Sequence, residues 1–398
     1  MICKITKKKL KPFMSFGNMP IANGFLKKKD FKKEFFFKME VGFSKSLSLF
    51  QLNDHPKPKL MFNKNYPFFT GSSKGMTEHF KEYSNWIKKN YLKNKKNLIE
   101  IGSNDGTFLS NFKGSKINTI GIEPSSNVAK ISKKKGIKTI NSFFTFKNAK
   151  KLKKFKNNTD IISAANVICH VPNLKDLIRG IDYLLNKNGL FIFEEPYLGS
   201  MYEKTSYDQI YDEHIFMFSV NSVKKVFRLF GFDLVNVIPQ KTHGGSMRYV
   251  VGRLGIHKIN MNVLKFLRLE KKNNIDSIKG CLKFKKKCED SKRKLKKKID
   301  SILKKGKKIA GYAATSKSTT VLNYCGINYK HIDFICDTTP NKINTFTPGT
   351  HIPVVPVSHF KNNIPDYTFL FAWNHKKEIF LKEKKILKKT KWFAHVNI

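Results

Sequence analysis

The stretch Leu98-Ile99-Glu100-Ile101-Gly102-Ser103-Asn104-Asp105-Gly106-Thr107-Phe108-Leu109 constrains this chain more than any other. An apolar run holds an acidic residue near its end, a tight Gly- and Asn-rich turn follows, and a helix is expected to start at the turn. That arrangement brings backbone close to a ligand at a strand end. Gly102 and Gly106 remove side-chain bulk there, and Asn104 enters the left-handed region more readily than most residues. Alone, such a turn also serves as a plain strand-to-helix connection.

Its surroundings repeat the theme. Leu98 to Ile101, Thr119 to Ile122, Ile161 to Ala165 and Leu190 to Phe193 are short apolar runs, separated by segments long enough for crossover helices. The alternation predicts an α/β fold with a parallel sheet covered on both faces. Asp233 to Ile238 and Met247 to Val251, parted by Gly244-Gly245, predict an antiparallel pair that closes the sheet. These strands define a Rossmann-like central domain over 66–255, entered by a helix with Met76, Phe80, Tyr83, Ile87 and Tyr91 at helical spacing and Ser72 or Ser73 as its cap. Before it, 1–65 reads as a small β-rich module with strands around Phe35 to Phe37 and Val41 to Leu52. After it, 256–305 reads as one or two solvated connector helices with lysines outward, and Cys281 and Cys288 packing on one face. The last segment, 306–398, is a second Rossmann-like domain, with strands at Lys308 to Tyr312, His331 to Cys336 and Phe369 to Trp373 and a helix at Ser316 to Tyr324.

Composition sets the outer limits. A chain of 398 residues supports two or three domains. It lacks an apolar run of the ~20 residues that span a bilayer, and its start lacks the pattern of a signal peptide, so a cytoplasmic protein without membrane insertion is expected. The formal charge of +48 suggests a polyanion partner, yet only six of the 77 basic residues are Arg. Arg is the preferred reader of bases and phosphates, and the lysines form no single stripe, so nucleic acid is not favoured. The six cysteines contain no CxxC pair, which fits a reducing compartment.

Candidate site residues fall in four places. Glu123 ends the strand after the glycine turn, 21 residues beyond Gly102, where a carboxylate accepts from both ribose hydroxyls of a nucleoside. No third glycine opens a pyrophosphate pocket, so a nucleoside such as S-adenosylmethionine (SAM) fits better than NAD. Asn166 follows the fourth strand. Tyr211-Asp212-Glu213-His214 puts a phenol, carboxylates and an imidazole within four residues, all capable of proton transfer. Ser316, Lys317, Ser318 and Thr319 start a helix after a strand, a setting suited to a diphosphate.

The glycine turn with Glu123 resembles class I SAM-dependent methyltransferases. A narrower resemblance rests on several motifs in one order: Gly17-Asn18-Met19-Pro20-Ile21-Ala22-Asn23-Gly24, the Glu100 turn, Tyr211 to His214, His243-Gly244-Gly245-Ser246-Met247-Arg248, Gly311 to Gly326 and Pro348-Gly349-Thr350-His351-Ile352-Pro353. These are similar to the three-domain nucleotide-sugar C-methyltransferase family, whose members methylate a carbon beside a sugar ketone. The resemblance implies that Gly102, Asn104 and Gly106 approach the methionine part of SAM, that Glu100 or Asp105 holds its amino group, that Glu123 holds the ribose, and that Asn166 lines the methyl-donor pocket. It makes His214 the general base beside Tyr211 and Glu213, and His170 a helper at the enolate oxygen. It assigns the nucleotide-sugar to Ser316, Lys317, Ser318 and Thr319. Relatives carry four N-terminal zinc cysteines. Here Cys3 remains, but Thr6, Ser44 and Leu47 occupy the other positions, so the module is expected to be metal-free, held by Phe35, Phe37, Val41, Phe43 and Leu49. Methyl transfer to oxygen or nitrogen of another sugar or glycan precursor, a basic nucleic-acid-binding protein or RNA methyltransferase, and a SAM-binding protein without catalysis are the competing readings.

Overall fold

A computed structural model of the chain describes residues 1–64, 66–92 and 97–397. Asn65, at the expected edge of the first module, and residue 398 lie outside the described residues. Among the described residues, no helix is long and apolar enough to cross a membrane.

The first module is built on β1 (Pro12–Pro20), β2 (Phe36–Ser44) and β3 (Leu49–Leu52), paired antiparallel in sequence order. Along β2, Phe37, Met39, Val41 and Phe43 alternate inward, as a sheet covered on one face requires. Phe35 departs from expectation: it lies before the strand and half of it faces solvent. The long strand β1 is also absent from the sequence reading, because its Gly17, Asn18 and two prolines mask the alternation.

The central domain contributes β4 (Asn97–Ile101), β5 (Asn118–Ile122), β6 (Thr139–Ile140), β7 (Thr159–Ala165), β8 (Leu185–Pro196), β9 (Phe216–Met217), β10 (Phe232–Gln240) and β11 (Ser246–Arg253). Seven of them form one sheet in the order β10-β11-β8-β7-β4-β5-β6. β4 to β8 run parallel, and their Leu98, Ile99, Ile161, Ile162 and Ile192 are fully buried, as expected of strands covered on both faces. β11 inserts antiparallel between β8 and β10. The strand order turns back between β4 and β7, and a ligand crevice opens at such a point. The entry helix spans Lys74–Tyr91 and is capped by Ser73 Oγ, which accepts from Met76 N–H at 3.3 Å. The helix expected after the glycine turn is replaced by a single 3₁₀ turn, Leu109–Phe112. Ser110, Asn111 and Ser115 there bond neighbouring backbone carbonyls, which competes with helix propagation. β9 leaves this sheet to pair with β3.

The C-terminal sheet contains β12 (Ile309–Tyr312), β13 (Ile335–Asp337), β14 (Thr345–Phe346), β15 (Pro353–Pro356), β16 (Tyr367–Leu370) and β17 (Lys391–Phe393), in the order β14-β15-β13-β12-β16-β17. Only β14 pairs antiparallel. The connector is two helices, Met261–Lys272 and Ile278–Lys304. It is less solvated than its composition suggests. Cys281, Phe284, Cys288, Leu295, Ile299 and Ile302 form a buried stripe, in one apolar cluster with Phe13, Met39 and Phe50 of the first module and Val321, Leu322 and Ile335 of the last domain. The lysines face outward as expected.

Candidate active site

A cavity of about 1270 Å³ lies where the three sheets converge, at the carboxyl ends of β4, β5 and β7. That volume exceeds the ~300–1,000 Å³ of an ordinary single-ligand pocket.

The glycine turn forms one wall. Gly102 has φ +68°, and a Cβ there would sit 2.3 Å from Val167 Cγ2, so both conformation and space demand glycine. Asn104, also left-handed at φ 47°, donates its N–H to Glu123 Oε2 at 2.9 Å. Glu123 Oε1 accepts from Ser125 N–H at 2.7 Å. Burial still raises the Glu123 pKa, against the pull of these two donors. Each carboxylate oxygen keeps a second lone pair for a ligand hydroxyl. Glu100 is buried on the same wall, and its Oε2 has no hydrogen-bond partner among the described residues. Burial, with Glu123 and Asp105 nearby, pushes its pKa well up, which marks a site for a cationic donor.

Two residues assigned to this wall face elsewhere. The Asp105 carboxylate accepts from Gly71 N–H at 3.0 Å and Thr107 Oγ1 at 2.7 Å, and lies 3.3 Å from Lys135 Nζ. It anchors the 66–72 segment over the turn instead of meeting a ligand amine. Gly106 is needed for its φ of +76° and for space against Ser132 Oγ, away from the cavity.

The facing wall carries the proton-transfer groups. Nδ1 of His214 lies 2.7 Å from the Gln209 carbonyl, so Nδ1 bears the proton and Nε2 is the acceptor. The Tyr211 hydroxyl donates to that Nε2 at 2.8 Å. Burial, then the neighbouring His170, hold the His214 pKa well below its ordinary value, so the ring is neutral at neutral pH. His170 stacks on His214 at 5.2 Å and on Phe62 at 5.4 Å, and burial lowers its pKa to about 3. The Asn166–His170 loop is held by Glu195, whose Oε1 accepts the N–H groups of Val167, Ile168 and Cys169 at 3.0, 2.6 and 3.2 Å. Asn166 adopts φ 55° and its Nδ2 donates to His243 Nε2 at 3.1 Å. Cys169, His170 and His214 place donor atoms within 4.8 Å of one another. They do not suit a metal: Nδ1 of His214 is engaged by the Gln209 carbonyl, and burial beside Glu195 disfavours the Cys169 thiolate.

The third wall comes from the last domain. Lys317 Nζ reaches Asn374 Oδ1 at 3.3 Å and lies 5.5 Å from the Trp373 ring centre. Burial lowers its pKa while Asp208 opposes the shift. Asp208 in turn accepts from Trp373 Nε1 at 2.8 Å and lies 3.1 Å from His395 Nε2. Ser316 also lines the cavity, but Ser318 and Thr319 do not. Ser318 Oγ donates to the Thr315 carbonyl, and Thr319 Oγ1 to that of Ala22, so both hydroxyls serve packing. The helix start therefore offers Ser316 and Lys317 rather than four residues.

Lys342 and Phe62 line the cavity without any signal in the local sequence, whereas Glu195 stands at the acidic end of a strand before Pro196 and Gln209 precedes the Tyr211 to His214 cluster. Asn23 lies in a quoted motif and carried a signal. Lys342 carried none, since it is one of 71 lysines until the fold sets it at the cavity.

Three family models match in succession: a putative zinc binding domain over residues 3–62, a methyltransferase domain over 76–237, and a C-methyltransferase C-terminal domain over 241–396. The chain thus carries a methyltransferase domain followed by a C-methyltransferase C-terminal domain. It is a SAM-dependent methyltransferase. The C-methyltransferase NovU of Streptomyces niveus is 26% identical over 377 residues, which cover 94% of this chain and 90% of NovU. Among solved structures, the PH0226 protein of Pyrococcus horikoshii OT3 is 13% identical, with a TM-score of 0.37, over 47% of this chain and 94% of that one. Magnesium protoporphyrin IX methyltransferase of Synechocystis PCC 6803, with SAH bound, is 12% identical with a TM-score of 0.36, over 45% and 84%.

The first of these models implies zinc, and the donor set of this chain does not fit it. Cys3 is buried in an apolar cluster with Leu47 and Leu49, and its sulfur accepts the Thr6 N–H at 3.4 Å. Ser44 Oγ pairs with Ser46 Oγ at 3.3 Å. One thiol beside a leucine is no zinc site. Gln51 instead ties the segment down, accepting from Lys4 N–H and donating to the Ile2 carbonyl, both at 3.0 Å.

Proposed function

We propose that this enzyme methylates a carbon of a nucleotide-activated keto sugar. The reading is carried by one observation: a neutral His214, its Nε2 paired with Tyr211, faces the same cavity as Glu100, Gly102 and Glu123 on one side and Lys317 on the other. SAM, when bound, supplies an electrophilic methyl group on a sulfonium. Glu100 meets its ammonium, Gly102 and Asn104 give its methionine part close backbone approach, Glu123 takes its ribose hydroxyls, and Asn166 borders the methyl-donor pocket. Once the Tyr211 hydroxyl gives up its hydrogen bond to Nε2 of His214, that nitrogen takes the proton from the carbon beside the sugar ketone, leaving an enolate whose carbon is the nucleophile. Tyr211 orients that nitrogen, Glu213 supports the sugar side, and His170 stands near the enolate oxygen. Proton transfer and held orientation are the rate contributions such a site makes. Lys317 and Ser316 meet the diphosphate. In this division of labour 66–255 holds the methyl donor, 306–398 the nucleotide-sugar, 256–305 joins them, and 1–65 is a metal-free module.

Incubation with labelled SAM and a panel of nucleotide 4-keto sugars tests the reading. A product heavier by one methylene, with the new methyl on carbon by NMR, is expected. Methyl on oxygen or nitrogen would move the acceptor, and labelled RNA with no sugar product would overturn the proposal. Metal analysis of purified protein is expected to show no stoichiometric zinc.

A further inference from the structure

The Pro20-Ile21-Ala22-Asn23-Gly24 motif has so far no role in the chemistry. Its backbone closes a turn just after β1, with Gly24 N–H donating to the Ile21 carbonyl at 2.9 Å. From that turn three hydrogen bonds leave the module. Ala22 N–H donates to Asp212 Oδ1 at 3.0 Å, Asn23 Nδ2 donates to Glu213 Oε1 at 2.7 Å, and the Ala22 carbonyl accepts from Thr319 Oγ1 at 2.8 Å. The next residue of that helix, Thr320, bonds the Ile210 carbonyl through Oγ1 at 2.9 Å. The loop that ends in His214 is thus bracketed by a turn of the first module and a helix of the last domain.

The bracket answers an electrostatic problem. Asp212 and Glu213 are adjacent in sequence and both buried, and two such carboxylates repel. Ala22 and Asn23 give one donor to each, on separate side chains. Glu213 is also faced by Tyr211 and Asp212 from its own loop, by Cys169 from the loop after β7, by Tyr66 from the segment over the glycine turn, and by Lys342 from the last domain. Lys342 is the cation of this set, and its Nζ donates to the Ala314 carbonyl at 2.7 Å, so the hydrogen bond seen on the Glu213 carboxylate comes from Asn23.

We propose that Asn23 is a positioning residue for methyl transfer, holding the Glu213 carboxylate toward the cavity beside His214, so that the first module completes the active site. The inference deepens the function proposed above and rests on it for its kinetic readout. Asn23→Ala removes the donor, and Asn23→Asp keeps the size but sets a third carboxylate against Glu213. Both variants are expected to lose about 10- to 100-fold in kcat, because small misplacements at a reacting centre cost that much. SAH affinity by calorimetry should stay at the wild-type value, since Asn23 touches none of Glu100, Gly102 or Glu123. The acid limb of the kcat–pH profile should move to higher pH, more so for Asn23→Asp, because a lost donor or added charge favours protonated Glu213.

A second readout needs no substrate. In protein labelled at glutamate carboxyl carbons, the Glu213 signal, assigned by its loss in Glu213→Gln, should titrate at higher pH in Asn23→Ala. Unchanged kcat and pH profile, or an unmoved Glu213 midpoint, would overturn the proposal. So would parallel loss of SAH binding and turnover, which marks a merely structural defect. A wild-type enzyme inactive on every keto sugar would instead refute the proposed substrate, while the carboxyl titration still decides the role of Asn23.

Discussion

At the scale of single residues, protonation state separates the groups that act from those that support. Both His214 nitrogens are assigned by their partners, Nδ1 by the Gln209 carbonyl and Nε2 by Tyr211, and burial keeps the ring neutral. His214→Ala should lower kcat by about 10²- to 10⁴-fold, the range for loss of a general base. SAH binding, measured by calorimetry, should be retained because the cofactor wall lies on other elements. Lys317→Ala should raise KM for the nucleotide-sugar about 10- to 100-fold, as expected for a lost charged hydrogen bond of ~1.5–3 kcal/mol, with SAH affinity unchanged. Asp208 would still be held by Trp373 and His395. Most of these residues were legible in the sequence, since Tyr211, Glu213, His214 and Glu123 stand in motifs whose chemistry is local. The direction a side chain takes was not. Asp105 and Thr319 occupy the right positions yet are spent on Gly71, Lys135 and Ala22, partners far away in the chain.

At the scale of elements, buried carboxylates do the holding. Glu195 clamps the Asn166–His170 loop, and Glu270 caps the helix Val220–Arg228, accepting from Val220 N–H at 2.6 Å, Asn221 N–H at 2.9 Å and the Tyr197 hydroxyl at 2.9 Å. Burial raises the pKa of Glu270 to about 7 despite these donors. A carboxyl raised in the folded state binds protons there that the unfolded chain has released. Its contribution to stability is therefore fullest below the unfolded value near 4.3, and falls as pH rises through about 7. Glu270→Gln removes that titration. Urea unfolding from pH 5 to 8 should show a flatter decline for the variant than for wild type; identical slopes would refute the assignment. The strands and the Lys74–Tyr91 helix were readable because period and caps are local signals. The missing helix after Gly106 was not, because side-chain bonds to nearby carbonyls outweighed an apolar pattern that suited a helix.

At the scale of the molecule, the Ile278–Lys304 helix converts three segments into one body. Phe284 stacks on Tyr202 at 4.7 Å and lies 6.5 Å from Phe50, touching the central domain and the first module together. Phe284→Ala should cost about 3–5 kcal/mol, as for other buried aromatics. Circular dichroism and tryptophan fluorescence should lose stability together in chemical denaturation; separate transitions would show that the shared core does not couple the parts. The charge of +48 has a smaller part in function than its size suggests, since the long helix turns its lysines outward while Lys317 and Lys342 are enclosed at the cavity. The sequence by itself determined the α/β class, the order of segments, the glycine turn at a strand end and the cluster of titratable groups from Tyr211 to His214, because each is written in neighbouring residues. Only the tertiary structure decided which carboxylates face the cavity, which lysines are enclosed there, and that Asn23 reaches Glu213, a residue 190 positions away. Burial and hydrogen-bond partnership depend on which distant segments meet, and no local pattern encodes that meeting.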